Sequence, residues 1–255
     1  MRIDAHAHLV PKAREEFSQE FHKARLDYVV VMILPSALQF DSEKEYQLPI
    51  CAGTLESLKQ DNLGLAQVCE QNPRYLPFAW LDHRMEDAVG FLDVLVQEHG
   101  FRGLKIHQVF NGEAGKEYYP LVERAVELKI PVMVHTGFRE PARVDPVGAL
   151  ADAYPDGVFI SSHMVEEYGL NRRYSHIRMA KDRPNVHLEC SYVPSLRRLK
   201  DAVDMMGDDR ILFGSDYPLW HGNISYCAGV VENAPIPEAS KRKILGENLA
   251  RLLCL

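Results

Sequence analysis

Eight short apolar segments recur along the 255-residue chain at a nearly constant interval. Several of them are continuously apolar rather than alternating, which is typical of strands buried on both faces of a parallel sheet. An interval of about 28 residues accommodates one strand and one returning helix. Successive segments begin 25, 47, 28, 27, 28, 28 and 25 residues apart, at Ile3, Tyr28, Tyr75, Gly103, Ile130, Val158, Val186 and Ile211.

The stretches between these segments predict helices. Residues 86–98 and 118–129 place apolar side chains at i, i+3, i+4 and i+7 with charged residues between them. Residues 145–154 open with an aspartate followed by proline, which predicts a capped helix start, and residues 237–253 read as an amphipathic helix. Eight strand–helix units predict a single-domain α/β fold over residues 1–255, a (β/α)₈ TIM barrel. An open doubly wound sheet is disfavoured because no GxGxxG follows the first strand.

The composition excludes several classes of protein. The net charge is −7, and 29 Lys and Arg are interspersed among 36 Asp and Glu, so we expect no nucleic-acid partner. No apolar run approaches the roughly 20 residues that span a bilayer, and the N-terminal MRIDAHAH is unlike a secretory signal. The five cysteines form no CxxC pair, which favours neither a disulfide framework nor a thiolate zinc site. We therefore expect a cytoplasmic protein with a small-molecule substrate and no membrane partner.

One interval between strands is longer than the others. It runs from Pro35 to Arg74 and contains the polar, acidic segment SALQFDSEKEYQLP, followed by a predicted helix through Glu70. Because it follows the second strand, the polar segment would lie on the face of a barrel where βα loops build active sites. Two interpretations stay open: a lid, or a surface excursion without a role.

Polar side chains stand at the carboxyl ends of several predicted strands. His6 and His8 share one face of the first strand, which is the lumen if Ile3 and Ala7 point outward. Four histidines and an aspartate on one rim would be costly to bury without a common partner, and a divalent ion provides one. The other three polar residues end the fifth, sixth and eighth strands: His135, His163 and Asp216.

In these motifs the sequence resembles the amidohydrolase superfamily, and within it the amidohydrolase-2 branch. That branch includes enzymes similar to aminocarboxymuconate-semialdehyde decarboxylase and to pyrone-dicarboxylate lactonase. The resemblance covers nearly the whole chain and rests on six pieces that occur in this order: IDAHAHL, GLKIH, IPVMVHTG, DPVGALADAYPDGVFISSHM, ILFGSDYP and GENLARLL.

The resemblance implies that His6, His8, His135 and Asp216 hold one divalent cation, zinc or alternatively manganese. His163 would be a catalytic histidine beside the ion, or a ligand in two-metal relatives. A cation with an open position lowers the pKa of bound water from about 15.7 to about 7. Asp216 would then move a proton between that water and the leaving group, and His163 would donate to a developing oxyanion. Dimers are common among relatives, so a homodimer is one expected arrangement, although no interface can be identified in the sequence.

Four further residues are predicted to contact substrate. Lys105 and His107 have the same parity on the fourth strand, so both face the lumen if either does. Lys105 would pair with a substrate carboxylate or with Asp216, or, as in some relatives, be carboxylated and bridge two metals. Arg139 and Trp220 lie in the loops after the fifth and eighth strands, where they could bind a carboxylate and stack on a planar substrate.

These features predict a metal-dependent hydrolase of a small, carboxylate-bearing amide or lactone. The alternative is a non-oxidative decarboxylase, because the same metal set in this family supports cleavage of carbon–carbon bonds. A barrel that serves only in binding or as a scaffold, without catalysis, is disfavoured because the set of metal ligands is complete. A PHP-type phosphoesterase is disfavoured because FGSDYP lacks a further histidine, and a TatD-like nuclease because the fourth strand lacks the glutamate motif. The short run LVPKAREEF after His8 predicts a smaller or more open site than in the larger decarboxylases.

Overall fold

The computed structural model describes most of the chain and confirms the predicted barrel. Eight parallel strands alternate with helices in a (β/α)₈ arrangement, and hydrogen-bonded neighbours follow the order β1-β2-β5-β6-β7-β8-β9-β10. The residues described are 1–10, 13–36, 39–41, 45–47, 52–107, 116–138, 143–167, 169, 171–193, 195–219 and 223–255.

The strands begin where the apolar segments predict them, within one or two residues. A two-stranded antiparallel sheet of β3 and β4 lies outside the barrel, in the long interval after the second strand. The strands are β1 Ile3–Leu9, β2 Tyr28–Ile33, β3 Gln39–Asp41, β4 Glu45–Gln47, β5 Tyr75–Trp80, β6 Gly103–Ile106, β7 Val132–Val134, β8 Phe159–Ser161, β9 Val186–Glu189 and β10 Ile211–Leu212.

The helices also match the amphipathic stretches of the sequence, with one difference near the end of the chain. The predicted helix over residues 237–253 is two short helices joined by a π-helical turn at Lys243–Glu247. The helices are α1 Arg14–Lys23, α2 Ala52–Gln71, α3 Ala88–Gln97, α4 Tyr119–Glu127, α5 Asp145–Ala153, α6 Ser175–Lys181, α7 Leu196–Met206, α8 Ile224–Glu232, α9 Glu238–Arg242 and α10 Asn248–Leu252.

The start of α5 differs from its sequence prediction. Asp145 is the first residue of the helix rather than its cap, and no side chain caps this end. The Asp145 carboxylate instead pairs with Arg172, in the loop that follows β8. Asp145 therefore forms an ion pair with the loop after β8 in place of the predicted capping hydrogen bond of α5.

The barrel closes between β1 and the segment that follows β10. The backbone N–H of Ala5 donates to the carbonyl of Phe213 at 2.8 Å, and that of Asp216 donates to the carbonyl of His6 at 2.7 Å. Ala7 and Tyr217 form a parallel bridge further along. This closure brings the end of the first strand against the loop that carries Asp216.

The core has two layers, one in the lumen and one between strands and helices. The lumen layer contains Val30, Met32, Met133 and Ile160, and Leu249 of α10 packs below them. Full burial of an aliphatic side chain of this size contributes roughly 1.5–3 kcal/mol. The lower lumen is therefore filled by apolar side chains, and the polar side chains of the upper lumen stand on this apolar floor.

The first strand contains a bulge that the sequence does not reveal. Asp4 pairs with Val29 and Ala7 with Val31, so two residues of β1 oppose one residue of β2. Ile3 consequently packs in the lumen layer, whereas Ala7 packs outward. The premise that Ile3 points outward is wrong, because the bulge reverses the alternation within the strand; His6 and His8 still both face the site.

The long interval after β2 is described only in part. The predicted helix is confirmed as α2, whereas half of the acidic segment SALQFDSEKEYQLP lies outside the described residues. Among the described helices, none is both long and apolar enough to cross a membrane.

Candidate metal centre

Three side chains bring possible ligand atoms together at the carboxyl end of the barrel. Oδ1 of Asp216 lies 3.0 Å from Nε2 of His8 and 3.2 Å from Nε2 of His6. The three residues are each at most 3% exposed. The bulge in β1 and the barrel closure together produce this contact between residues more than 200 positions apart in sequence.

Hydrogen bonds determine which nitrogen of each imidazole carries the proton. Nδ1 of His8 lies 2.9 Å from the carbonyl oxygen of Ile33, which can only accept, so Nδ1 donates; in the neutral imidazole the lone pair is then on Nε2. Nδ1 of His6 likewise donates to a carboxylate oxygen of Glu189, 2.9 Å away, which leaves the lone pair of His6 on Nε2. Lone pairs on two nitrogens and one carboxylate oxygen therefore face one another.

This donor set fits a divalent cation. Facing lone pairs in a buried site need a positive charge between them. Atoms that ligate one tetrahedral ion at about 2.1 Å lie about 3.4 Å apart, close to the separations of 3.0 and 3.2 Å found here. Burial holds the pKa of His6 well below its usual value, which favours the neutral form that binds metals.

Glu189, at the end of β9, is part of the site and was not predicted from the sequence. Its side chain is fully buried and contacts His6 across the barrel. Burial raises its pKa to about 8, while hydrogen bonds from Ser191 and from the His163 backbone act in the opposite direction. The one signal in the sequence is an acidic residue within the otherwise apolar run of a buried strand.

Lys105 faces the lumen from β6, as predicted, and lies directly beside the ligand atoms. Its ammonium donates to Ser162 Oγ at 2.8 Å and contacts Nε2 of His6 at 3.3 Å. Burial lowers the pKa of Lys105 to about 8, and the nearby carboxylates of Asp216 and Glu189 oppose that shift. The residue is fully buried, and its role in binding substrate stays a prediction.

His163 and His135 lie next to the three ligand residues and contact each other. Nε2 of His163 lies 3.2 Å from Nδ1 of His135, and the ring of His163 stacks on that of His6 at 5.1 Å. His163 has a left-handed backbone (φ 65°), which turns its side chain back over the site. The ligand role of His135 and the catalytic role of His163 stay predictions.

Three flat rings form a wall beside the metal centre. His107 stacks on Trp80 with ring centres 4.9 Å apart and on His135 with centres 3.8 Å apart. The amide of Asn62 bonds both the backbone N–H and the carbonyl of Trp80, at 3.2 and 3.0 Å. Parallel rings of this kind suit a planar ligand, and Trp80 and Asn62 were not predicted from the sequence.

Two predicted substrate contacts, Arg139 and Trp220, lie outside the described residues. Phe138, which directly precedes the first of them, is 40% exposed. Tyr217, after Asp216, is buried and packs edge-on against Phe17 of α1, away from the three ligand residues. Its contacts are those of a packing residue.

The family model described as amidohydrolase (Amidohydro_2) matches residues 3–255. A search of curated proteins found no match. The sequence comparison therefore assigns a family across nearly the whole chain.

Solved structures with the same fold include enzymes of carboxylated aromatic compounds. The structure is similar to a dihydroxybenzoic acid decarboxylase of Polaromonas sp. JS666, with bound manganese and the inhibitor 2-nitroresorcinol (TM-score 0.73, 20% identity, covering 100% of this chain and 97% of that one). It is similar to 5-carboxyvanillate decarboxylase of Sphingomonas paucimobilis (TM-score 0.74, 15% identity, 100% and 99% covered). It is also similar to 4-oxalomesaconate hydratase of Rhodopseudomonas palustris (TM-score 0.71, 16% identity, 100% and 96% covered).

Proposed function

The chain belongs to the amidohydrolase family, and we propose that it is a divalent-metal-dependent decarboxylase of a small, hydroxylated aromatic carboxylate. The observation that carries the proposal is the position of the three ligand atoms of His6, His8 and Asp216 beside a wall of parallel rings. The three ligand atoms suit a cation that binds a substrate carboxylate. The wall of parallel rings suits a flat aromatic substrate. The decarboxylases with the same fold support this choice over a hydrolase.

His6, His8 and Asp216 would hold the cation, with His135 as the fourth ligand. The positive charge of such an ion would offset that of the substrate carboxylate. Imidazole and carboxylate ligands accept either zinc or manganese, and manganese occurs in the Polaromonas enzyme. We propose one ion, with Lys105 as a free amine that donates to Ser162.

In the proposed reaction a proton is added to the ring carbon that bears the carboxylate. The carbon–carbon bond then breaks, its electron pair returns to the ring, and carbon dioxide leaves. Asp216, whose carboxylate lies at the centre of the ligand cluster, would take this proton from the substrate hydroxyl and deliver it to the ring carbon, and the phenolate left after carbon dioxide departs would regain a proton from water. His163 is the second proposed catalytic residue: its ring stacks on that of His6 at 5.1 Å, where it would contact the bound substrate.

The hydrolase predicted from the sequence uses the same residues, so product analysis must separate the two reactions. Metal-loaded protein is incubated with carboxyl-labelled ortho-hydroxybenzoates and, separately, with aromatic lactones and amides. We expect labelled carbon dioxide from the first group and none from an Asp216→Asn control. Acid release from lactones or amides, without carbon dioxide from any carboxylate, would establish the hydrolase and overturn the proposal.

A further inference from the structure

The carboxylate of Glu189 is held by four hydrogen bonds. Oε2 lies 2.9 Å from Nδ1 of His6, 2.8 Å from the hydroxyl of Ser191 and 3.1 Å from the backbone N–H of His163. Oε1 accepts from the backbone N–H of Ser191. The side chain also lies so close to Gly214 that an added Cβ at that position would overlap it. All four groups donate to these oxygens, so the side chain has a single orientation.

Ser191 extends this arrangement to two more histidines. Because its hydroxyl proton points to Glu189, its oxygen accepts from Nδ1–H of His163, 2.6 Å away. The lone pair of His163 is then on Nε2, which faces Nδ1 of His135 at 3.2 Å. His135 consequently donates from Nδ1 and keeps its own lone pair on Nε2.

We infer that Glu189 is the positioning residue of this metal centre. It places the proton of His6 directly, and those of His163 and His135 through Ser191. The inference rests on the proposed function in one respect, since the Nε2 atoms of His6 and His135 are taken as metal ligands. The contact between Lys105 and Nε2 of His6 supports the assignment independently, because an ammonium can only donate to a lone pair.

The same hydrogen bonds argue against a second ion next to Glu189. His6, His163 and Glu189 offer atoms within 4.8 Å of one another, a spacing that could suit a metal. Oε2 of Glu189, the oxygen near both histidines, already receives three donors, from His6, Ser191 and the backbone of His163, and Oε1 accepts from the backbone of Ser191. Glu189 therefore orients the ligands and does not itself bind an ion.

The first test measures Zn²⁺ affinity, by competition with a chromophoric chelator, in wild type and in Glu189→Gln. The glutamine has nearly the same shape, but its NH₂ group opposes donors that the carboxylate accepts. Loss of such a partner typically costs 10–100-fold in metal affinity, about the decrease we expect. Glu189→Asp should recover part of it. A folded Glu189→Gln protein with wild-type affinity would overturn the inference.

The second test uses ¹⁵N NMR of histidine-labelled, metal-free protein to locate the imidazole protons. We expect His6 and His163 to be protonated on Nδ1 in wild type. Ser191→Ala should release His163 from that state and leave His6 unchanged, whereas Glu189→Gln should change both. Protonation of His163 on Nε2 in wild type would contradict the relay through Ser191.

These two tests separate the inference from the proposed function. A wild-type protein that binds neither Zn²⁺ nor Mn²⁺ would contradict the proposed function. The proton positions in the metal-free protein would still decide whether Glu189 sets them. Circular dichroism and urea unfolding of each variant show whether a lost affinity reflects a lost fold.

Discussion

Asp4 accepts a hydrogen bond of 3.0 Å from the backbone N–H of Ser215, which joins the first strand of the barrel to the residue before Asp216. The same carboxylate oxygen accepts from the backbone N–H of His6 at 3.0 Å, within the bulge of β1. One buried oxygen thus fixes the backbone on both sides of the metal centre.

Asp4→Ala should destabilise the protein, because two buried N–H groups lose their acceptor. Each such loss costs about 1–3 kcal/mol, so we expect roughly 2–4 kcal/mol in the free energy of unfolding, together with weaker Zn²⁺ binding. Asp4→Asn is the matched control, since its amide oxygen can accept both bonds and burial raises the pKa of Asp4 to about 7. Urea unfolding measures both variants, and equal destabilisation of the two would contradict this role.

Asp216→Asn should abolish turnover and leave the fold intact. Asp216 has a left-handed backbone (φ 53°), a conformation that asparagine adopts readily, so the substitution adds little strain. Without a proton to transfer, we expect kcat to fall by at least about 10³-fold. Steady-state kinetics and circular dichroism measure the two effects. Substantial activity in a folded, metal-loaded variant would rule out Asp216 as the proton donor.

Lys105→Met tests whether the centre holds one ion or two. With one ion, removal of an ammonium 3.3 Å from a ligand nitrogen relieves repulsion, so we expect Zn²⁺ to bind about tenfold more tightly or better. Activity should fall if the amine contacts substrate. If Lys105 is carboxylated and bridges two metals, the variant should instead lose an ion, which elemental analysis of the purified protein would detect.

Asn62→Ala should destabilise the barrel near the ring wall. It removes the two hydrogen bonds that Asn62 makes with the backbone N–H and carbonyl of Trp80, at a cost of about 2–4 kcal/mol. Asn72→Ala, directly after the same helix, removes a single bond to the carbonyl of Val68 at a half-buried position and should cost less than about 1 kcal/mol. Urea unfolding compares the pair, and a similar effect of both substitutions would show that Asn62 does not hold Trp80.

His187 should make the protein less stable in acid. Burial, aided by Arg210 and Arg251, lowers its pKa to about 4, so the unfolded chain takes up this proton first as the pH falls below 6.5. The neutral, buried His187 thereby contributes on the order of 3 kcal/mol to the free energy of unfolding. This contribution is complete above pH 6.5 and is lost as the pH falls from 6.5 through 4.

His187→Gln should therefore lose less stability than wild type between pH 6.5 and pH 4, and urea unfolding at several pH values measures the difference. His22→Gln, at an exposed position, is the control and should keep the wild-type pH dependence. A His187→Gln profile parallel to that of wild type would contradict the prediction.

Much of the architecture could be predicted because strands and helices are encoded locally. Each buried strand is a short apolar run, and each outer helix is an amphipathic stretch, so order and spacing alone indicated a barrel. The rim residues could be predicted for the same reason, since His6, His8 and Asp216 directly end such runs. Parallel strands of a closed barrel place their carboxyl ends on one rim.

The sequence alone thus determined which elements form, in what order, and which polar residues reach the rim. Only the tertiary structure decided the bulge in β1, because register depends on the neighbouring strand rather than on the strand itself. It also decided the roles of Glu189 and Asn62, whose partners lie 183 and 18 residues away. Hydrogen bonds are short and directional, so a polar residue's function depends on which atoms the fold brings within about 3 Å of it.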